Sequence, residues 1–116
     1  MPEPYRIGGA IGSPYTRKVK AVLLYRRLPY LFIQSTTNEY PGLPKPPLPL
    51  LPCVWMPRGD GSLEATSDST FQIRTLEGRE SGRSVIPPDP GLAFLDYLIE
   101  DFGDEWLTKA MFHYRW

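Results

Sequence analysis

The sequence predicts an α/β fold, and three observations support it. Residues 5–34 read as strand, helix and strand with tight connections, which is typical of a βαβ unit with parallel, mostly buried strands. Residues 53–65 contain two short apolar runs around a Gly/Asp turn, as in a β-hairpin. Helical patterns follow this hairpin and also end the chain. The predicted order is therefore β-α-β, an irregular segment, β-β-α and a further helix.

Composition narrows the class of protein. The chain has 116 residues, of which 41% are hydrophobic, so it can form the core of one small domain plus an additional segment. Lys+Arg and Asp+Glu are both 13, and this zero net charge gives no overall field for nucleic acid or an anionic membrane. The five basic residues between Arg17 and Arg27 are interpreted as the solvated face of a helix.

The chain has one cysteine, Cys53, and one histidine, His113, which are too few for the four ligands of a structural zinc site. Cys53 is interpreted as a buried structural cysteine, and His113 as a packing residue. Nothing in the sequence reads as a membrane-spanning helix or as a signal peptide at "MPEPYRIGG". We therefore predict a cytoplasmic protein that binds neither metal, nucleic acid nor membrane.

The first strand is predicted over Tyr5–Ile7, before the turn "GGAIG". The first helix is predicted over Ser13–Leu28, because Ser13 suits an N-cap and Pro14 suits the first helical position. Pro29 disfavours a helical conformation in the residue before it, and the aromatic and β-branched run Tyr30–Gln34 predicts the second strand.

The proline-rich segment 36–52 is predicted to be irregular or polyproline-like, because prolines at this density exclude a regular helix. Strands are predicted over 53–56 and 63–65, joined by the turn "PRGDGS". A helix then begins at Ser67 or Asp68 and runs to about Glu77. Within this helix, a core-facing Gln72 would need a hydrogen-bond partner.

The last helix is predicted to begin after Asp89-Pro90 and to bend at Gly103. Apolar residues recur along it at helical spacing: Leu95, Leu98, Phe102, Trp106 and Ala110. This stripe continues almost to Trp116. Either this helix packs back on the first domain, or it is the start of a larger helical domain; we expect the second, with Trp106 and Trp116 exposed in the chain alone.

Three stretches resemble the glutathione-transferase family. "SPYTRKVKAVLLYRRLPY" is similar to its first helix, and "LPCVWMPRGDGSLEATSDST" to its cis-proline, hairpin and [ED]-S helix start. "RSVIPPDPGLAFLDYLIEDFGDEW" resembles its linker and the start of its helical domain. The resemblance implies a thioredoxin-like N-terminal domain over 1–82, a linker over 83–90 and an incomplete helical domain over 91–116.

The resemblance also implies site residues. Ser13 would donate a hydrogen bond to the sulfur of glutathione, with Tyr15 as the second candidate donor. Leu51, followed by a cis Pro52, would pair its backbone with the cysteinyl unit. Asp68 and Ser69 would hold the γ-glutamyl end. Each has a simpler alternative: a helix cap for Ser13, Asp68 and Ser69, and a trans strand-opening proline for Pro52.

The implied function is conjugation of the glutathione thiolate, the co-substrate, to a small electrophile. Full-length relatives commonly form homodimers. We expect the 116-residue chain alone to be weakly active or inactive, because most of the electrophile pocket of this family lies in the helical domain. The alternative is a non-catalytic interaction module in which the proline-rich segment 41–52 is a peptide ligand.

Overall fold

The computed structural model describes residues 4–35, 40–48 and 50–115. The chain divides into two compact units, Met1–Arg83 and Ser84–Trp116. The elements of the first unit are β1 (Tyr5–Gly9), α1 (Pro14–Tyr25), β2 (Tyr30–Gln34), β3 (Cys53–Pro57), β4 (Leu63–Thr66) and α2 (Ser69–Arg79). This order confirms the predicted α/β fold.

The four strands form one sheet in the order β2-β1-β3-β4. β1 and β2 are parallel, as predicted, with Ile7 opposite Phe32. β3 runs antiparallel to both β1 and β4, so β3 and β4 form the predicted hairpin. The prediction that both strands of the βαβ unit are mostly buried is wrong for β2, which has no fully buried residue. Among the strands that the structure describes, β2 lies at the sheet edge and has a neighbour on one side only.

The core of the first unit covers both faces of the sheet: one face packs against the two helices, and on the other Cys53 and Trp55 pack with Tyr40 of the proline-rich segment. β3 contributes most to it, since Cys53, Val54, Trp55 and Met56 are all fully buried. Val19 and Leu23 from α1 and Leu76 from α2 complete the apolar packing, and each is fully buried as well. Burial of one such side chain is worth about 1.5–3 kcal/mol.

Helix α1 ends at Tyr25 and is therefore shorter than predicted, since the prediction ended it at Leu28. Arg27 has a φ of 58°, in the left-handed region, and this reverses the chain before Pro29 is reached. Helix α2 begins after the N-cap Asp68, which is one of the two predicted starts. It continues through Gly78 to Arg79, beyond the predicted end at Glu77.

Arg26 corrects the prediction that the basic residues of α1 are all solvated. Only 5% of this residue is exposed. Its guanidinium donates to the carbonyls of Glu80 at 2.8 Å and Gly82 at 3.1 Å, and it lies 3.9 Å from the Glu77 carboxylate. A buried cation is stable only with such partners, so Arg26 fixes the C-terminal end of α1 to the end of α2.

The second unit is helical. It contains α3 (Pro90–Asp101), a π-helical segment (Phe102–Leu107) and α4 (Thr108–Arg115). Asp89 caps α3 as predicted, its carboxylate accepting from the Leu92 amide at 3.0 Å. Gly103, where a bend was predicted, lies in the π-helical segment, and the Thr108 hydroxyl donates to the carbonyls of Gly103 and Asp104.

Apolar side chains of the second unit are largely exposed. None of the 12 residues of α3, all of which are described, is buried. Trp106 is 59% exposed, in agreement with the expectation for this residue. Trp116, for which the same was expected, lies outside the described residues.

Candidate functional site

The start of α1 is determined by its local sequence. Ser13 is the N-cap, as predicted, and its hydroxyl oxygen accepts a hydrogen bond from the Thr16 amide at 3.3 Å. The turn before it is closed by the Ser13 amide, which donates to the Ala10 carbonyl at 3.0 Å. A hydroxyl that accepts from an amide keeps its own proton for donation. Ser13 therefore places a donor at the positive end of a 12-residue helix.

Gly9 allows the first turn of α1 to approach the end of β1. A Cβ atom at this position would lie 2.4 Å from the Thr16 hydroxyl oxygen, closer than non-bonded atoms approach. Thr16 is only 1% exposed, so it has little space to move away. The glycine therefore fixes how close the strand end lies to the capped helix.

The Leu51–Pro52 peptide bond is cis. Pro52 is buried and leads directly into β3, whereas Leu51 is half-buried. Within the described part of the chain, the backbone N–H and C=O of Leu51 have no hydrogen-bond partner. Unpaired backbone groups just before a strand can pair with the backbone of an extended ligand.

Gln72 fastens this proline segment to α2. The side chain is fully buried, and its amide nitrogen donates to the carbonyls of Pro52 at 3.0 Å and Thr66 at 2.9 Å. These two carbonyls belong to the residue before β3 and to the last residue of β4. One side chain thus joins the cis-proline segment, the sheet and the helix that follows it.

The start of α2 combines a cap with a cation. Asp68 is the N-cap, and its carboxylate accepts from the Thr70 amide at 3.2 Å. Asp68 also has a φ of 75°, a conformation that costs a non-glycine residue about 1–3 kcal/mol. Ser69, the first helical residue, is buried, and Lys18 of α1 donates to its hydroxyl at 3.4 Å. The contact connects the N-terminal halves of the two helices.

The proline-rich segment is irregular, as predicted, but it packs on the sheet. The Tyr40 ring meets the Trp55 ring edge to face at 4.7 Å, and the Trp55 indole donates to the Pro44 carbonyl at 2.9 Å. Further along, the Ser67 hydroxyl donates to the Leu48 carbonyl and accepts from the Leu48 amide. These contacts hold the segment beside the cis-proline.

Cys53 does not have the properties of a nucleophile. It is fully buried and free, and this burial raises the pKa of its thiol to about 12. The thiol is therefore protonated at neutral pH, in line with the structural role predicted for it. His113 is exposed on α4 and packs against the neighbouring Tyr114 ring at 4.7 Å.

A family model of the glutathione S-transferase N-terminal domain matches residues 9–84. The chain belongs to the glutathione S-transferase family. The matched residues include the capped helix α1, the cis-proline and the start of α2. The sheet with its two helices is the thioredoxin-like domain of this family, and the resemblance seen in the sequence is confirmed.

Solved structures agree with this family. A glutathione S-transferase from Methylobacterium radiotolerans, in complex with glutathione sulfonate, is 26% identical, with a TM-score of 0.64 over 79% of this chain and 42% of that chain. A glutathione transferase homolog from Burkholderia (strain BGR1), with bound glutathione, is 13% identical, with a TM-score of 0.66 over 91% of this chain and 57% of that one.

A third relative comes from Pseudomonas fluorescens Pf-5 and carries S-(propanoic acid)-glutathione. It is 21% identical, with a TM-score of 0.57 over 86% of this chain and 48% of that one. This glutathione S-transferase chain thus spans about half the length of the solved relatives. A search of the curated proteins found no match.

The structure places the predicted site residues of this transferase-family domain at element starts. Ser13 precedes α1, Tyr15 is half-buried in its first turn, Leu51 and Pro52 precede β3, and Asp68 and Ser69 start α2. Sequence reasoning missed Lys18, whose contact with Ser69 joins two distant segments. The sequence predicts that a core-facing Gln72 needs a hydrogen-bond partner, but it does not indicate which carbonyls accept from this side chain.

In the part of the chain that the structure describes, no helix is long and apolar enough to cross a membrane. No group of three or more His, Cys, Asp or Glu side chains among those residues is arranged to hold a metal ion.

Proposed function

We propose that this chain is the glutathione-binding domain of a glutathione transferase-like protein, which conjugates glutathione to a small electrophile when complete. The observation that carries the proposal is the Ser13 hydroxyl at the N-terminus of α1. It is supported by the glutathione sulfonate complex of the 26%-identical relative.

Ser13 is assigned the activating role. A thiolate is stabilised by a hydroxyl donor and by the positive end of a helix, and both lower the pKa of a bound thiol. A hydrogen bond to a charged group is worth about 1.5–3 kcal/mol, which corresponds to about one to two pKa units. Tyr15 in the same turn is the second candidate donor.

The remaining groups bind the tripeptide. The unpaired backbone of Leu51, before Pro52, suits the cysteinyl unit as an added strand. The Ser69 hydroxyl and the Lys18 ammonium, 3.4 Å apart, suit the γ-glutamyl carboxylate, and the Asp68 carboxylate suits its ammonium group.

The chemical step is a nucleophilic attack by the bound thiolate on an electrophilic carbon. The sulfur–carbon bond forms while the leaving group departs with its electron pair, and the thiol proton passes to solvent. The exposed helices of the second unit fit the beginning of a helical domain over 91–116, joined through a linker over 83–90. That domain would build most of the electrophile pocket, and the whole protein would be a cytoplasmic homodimer.

The alternative, an interaction module with segment 41–52 as peptide ligand, has less support. The carbonyls of Pro44 and Leu48 already accept hydrogen bonds from Trp55 and Ser67. A polyproline ligand needs such groups free for its partner.

The test compares glutathione with ophthalmate, its analogue with 2-aminobutyrate in place of cysteine. Ser13→Gly removes the hydroxyl at a cost of only a few tenths of a kcal/mol in capping. We expect this variant to bind ophthalmate like the parent chain by calorimetry. We also expect the pKa of bound glutathione, followed by thiolate absorbance, to rise by about one to two units.

Ser81→Ala, an exposed serine outside these elements, is the matched control and should change neither quantity. If Tyr15→Phe raised the thiol pKa and Ser13→Gly did not, the donor would be Tyr15. Absence of glutathione binding by the folded parent chain would refute the proposal as a whole.

A further inference from the structure

Two backbone stretches carry the proposed glutathione site, and one buried side chain joins them. The side-chain amide of Gln72 donates to the carbonyls of Pro52 at 3.0 Å and Thr66 at 2.9 Å. Pro52 directly follows Leu51, which is assigned to the cysteinyl unit. Thr66 lies two residues before Asp68, which is assigned to the γ-glutamyl end. Gln72 therefore fixes how the two parts of the site lie relative to each other.

The connection from Gln72 to the Leu51 backbone is short and stiff. The Leu51 carbonyl carbon is bonded to the nitrogen of Pro52, whose ring fixes the φ angle of that residue. The peptide bond between them is planar, so the ψ angle of Pro52 is the one soft torsion between the two carbonyls. Pro52 is fully buried and has little space to move. A shift of the Pro52 carbonyl is therefore passed on to the Leu51 carbonyl.

The chain before Leu51 is held less directly. The Ser67 hydroxyl donates to the Leu48 carbonyl at 3.1 Å and accepts from the Leu48 amide at 3.3 Å, three residues away from Leu51. Among the residues that the structure describes, the side chain of Gln72 alone makes a hydrogen bond to the backbone of residues 50–52. The orientation of the Leu51 backbone thus depends mainly on Gln72.

Packing by itself does not account for a glutamine at this position. The residue is 0% exposed, and its side-chain carbonyl oxygen has no hydrogen-bond partner in the described part of the chain. An unpaired buried polar atom is unfavourable, and an apolar side chain of similar size would avoid it. The two hydrogen bonds to Pro52 and Thr66 are what the glutamine adds.

We propose that Gln72 is a positioning residue that makes the site selective for a peptide amide, an inference that rests on the proposed glutathione function. Gln72 is buried and acts through Leu51. It holds the Leu51 carbonyl where this group accepts from the N–H between the γ-glutamyl and cysteinyl units of the ligand. An ester at that bond has no N–H to donate, so a well-placed carbonyl distinguishes an amide from an ester.

The test compares ophthalmate with its depsipeptide analogue, in which that N–H is replaced by an ester oxygen. We expect the parent chain to bind ophthalmate about two- to tenfold more tightly by calorimetry, the range for one hydrogen bond. Gln72→Met has a side chain of similar length without a donor and should bind the two ligands about equally. Gln72→Leu removes the same donor with a different shape and is the second variant, used if the first does not fold.

A second readout separates positioning from thiol activation. The pKa of bound glutathione should be the same in Gln72→Met as in the parent chain, because the side-chain hydrogen bonds of Gln72 go to Pro52 and Thr66 and not to α1.

Ile73→Val is the matched control for lost stability. Ile73 is the next residue of α2 and is 7% exposed, so this change removes buried apolar volume without removing a donor. The preference for the amide should be retained. In the ligand-free chain, the NMR order parameter of the Leu51 amide should fall in Gln72→Met and stay at the parent value in Ile73→Val.

A parent-like preference for the amide in the folded Gln72 variants would overturn the proposal. So would loss of that preference in Ile73→Val, since any loss of stability would then loosen the site, or an unchanged order parameter of Leu51 in Gln72→Met. The order parameter needs no ligand. Absence of binding by the parent chain would therefore refute the proposed function, while the hold of Gln72 on Leu51 is tested separately.

Discussion

Replacement of Gln72 by leucine is the sharpest test of how the cis-proline segment is held. The substitution keeps the approximate size of the side chain but removes the amide that donates to Pro52 and Thr66. Loss of a donor to a buried carbonyl costs about 1–3 kcal/mol, so two carbonyls lose about 2–6 kcal/mol.

Part of this loss is returned, because the Gln72 carbonyl oxygen is buried and unpaired among the described residues. Its removal relieves about 1–3 kcal/mol. We therefore expect Gln72→Leu to lower the free energy of unfolding by about 1–3 kcal/mol in urea titrations. That loss corresponds to a fall in Tm of about 4–8 °C for each kcal/mol in a domain of this size.

The matched control is Gln34→Leu, which replaces an exposed glutamine at the end of the edge strand β2. Its effect on stability should stay within about 0.5 kcal/mol. A Gln72→Leu variant as stable as the parent would refute the reasoning, since the two hydrogen bonds would then contribute no more than the unpaired oxygen costs.

Gln72→Glu adds a pH test of the same contact. A buried carboxylate next to two carbonyls is disfavoured, so its folded-state pKa should be raised above the unfolded value of about 4.3. The variant should then be closest to the parent in stability below that pH and lose stability as the pH rises through the folded-state pKa. A stability difference that does not change with pH would mean that the carboxylate has reached solvent.

Two further predictions concern β3. Cys53 should not react with a water-soluble thiol reagent in the native chain at pH 8 and should react fully in urea. Burial raises the pKa of its thiol to about 12, so the contribution of the thiol to stability should be fully present below the unfolded-state pKa and be lost as the pH rises towards 12. Cys53→Ala should lack this pH dependence. Trp55→Phe removes the indole donor to the Pro44 carbonyl and should lower the free energy of unfolding by about 1 kcal/mol, with faster proteolysis within residues 41–48. Unchanged proteolysis would mean that this hydrogen bond does not hold the segment.

Local signals were enough to predict most element starts. Ser13-Pro14, Asp68-Ser69 and Asp89-Pro90 each begin a helix where the sequence indicates, because a cap and the first helical turn involve only residues a few positions apart. The end of α1 was less predictable. Pro29 excludes a helix beyond Leu28, but the earlier reversal at Arg27 depends on a backbone conformation that no proline or glycine marks.

The sequence by itself determined the α/β order, the irregular proline-rich segment and the helix starts, since these depend on short-range periodicity and capping. Only the tertiary structure decided that β2 is an edge strand, that Arg26 is buried, and that Lys18 meets Ser69. Polar and charged side chains favour solvent unless the fold supplies partners. Those partners are 51 residues apart in sequence for Lys18 and Ser69, and 54 for Arg26 and Glu80, beyond the reach of any local pattern.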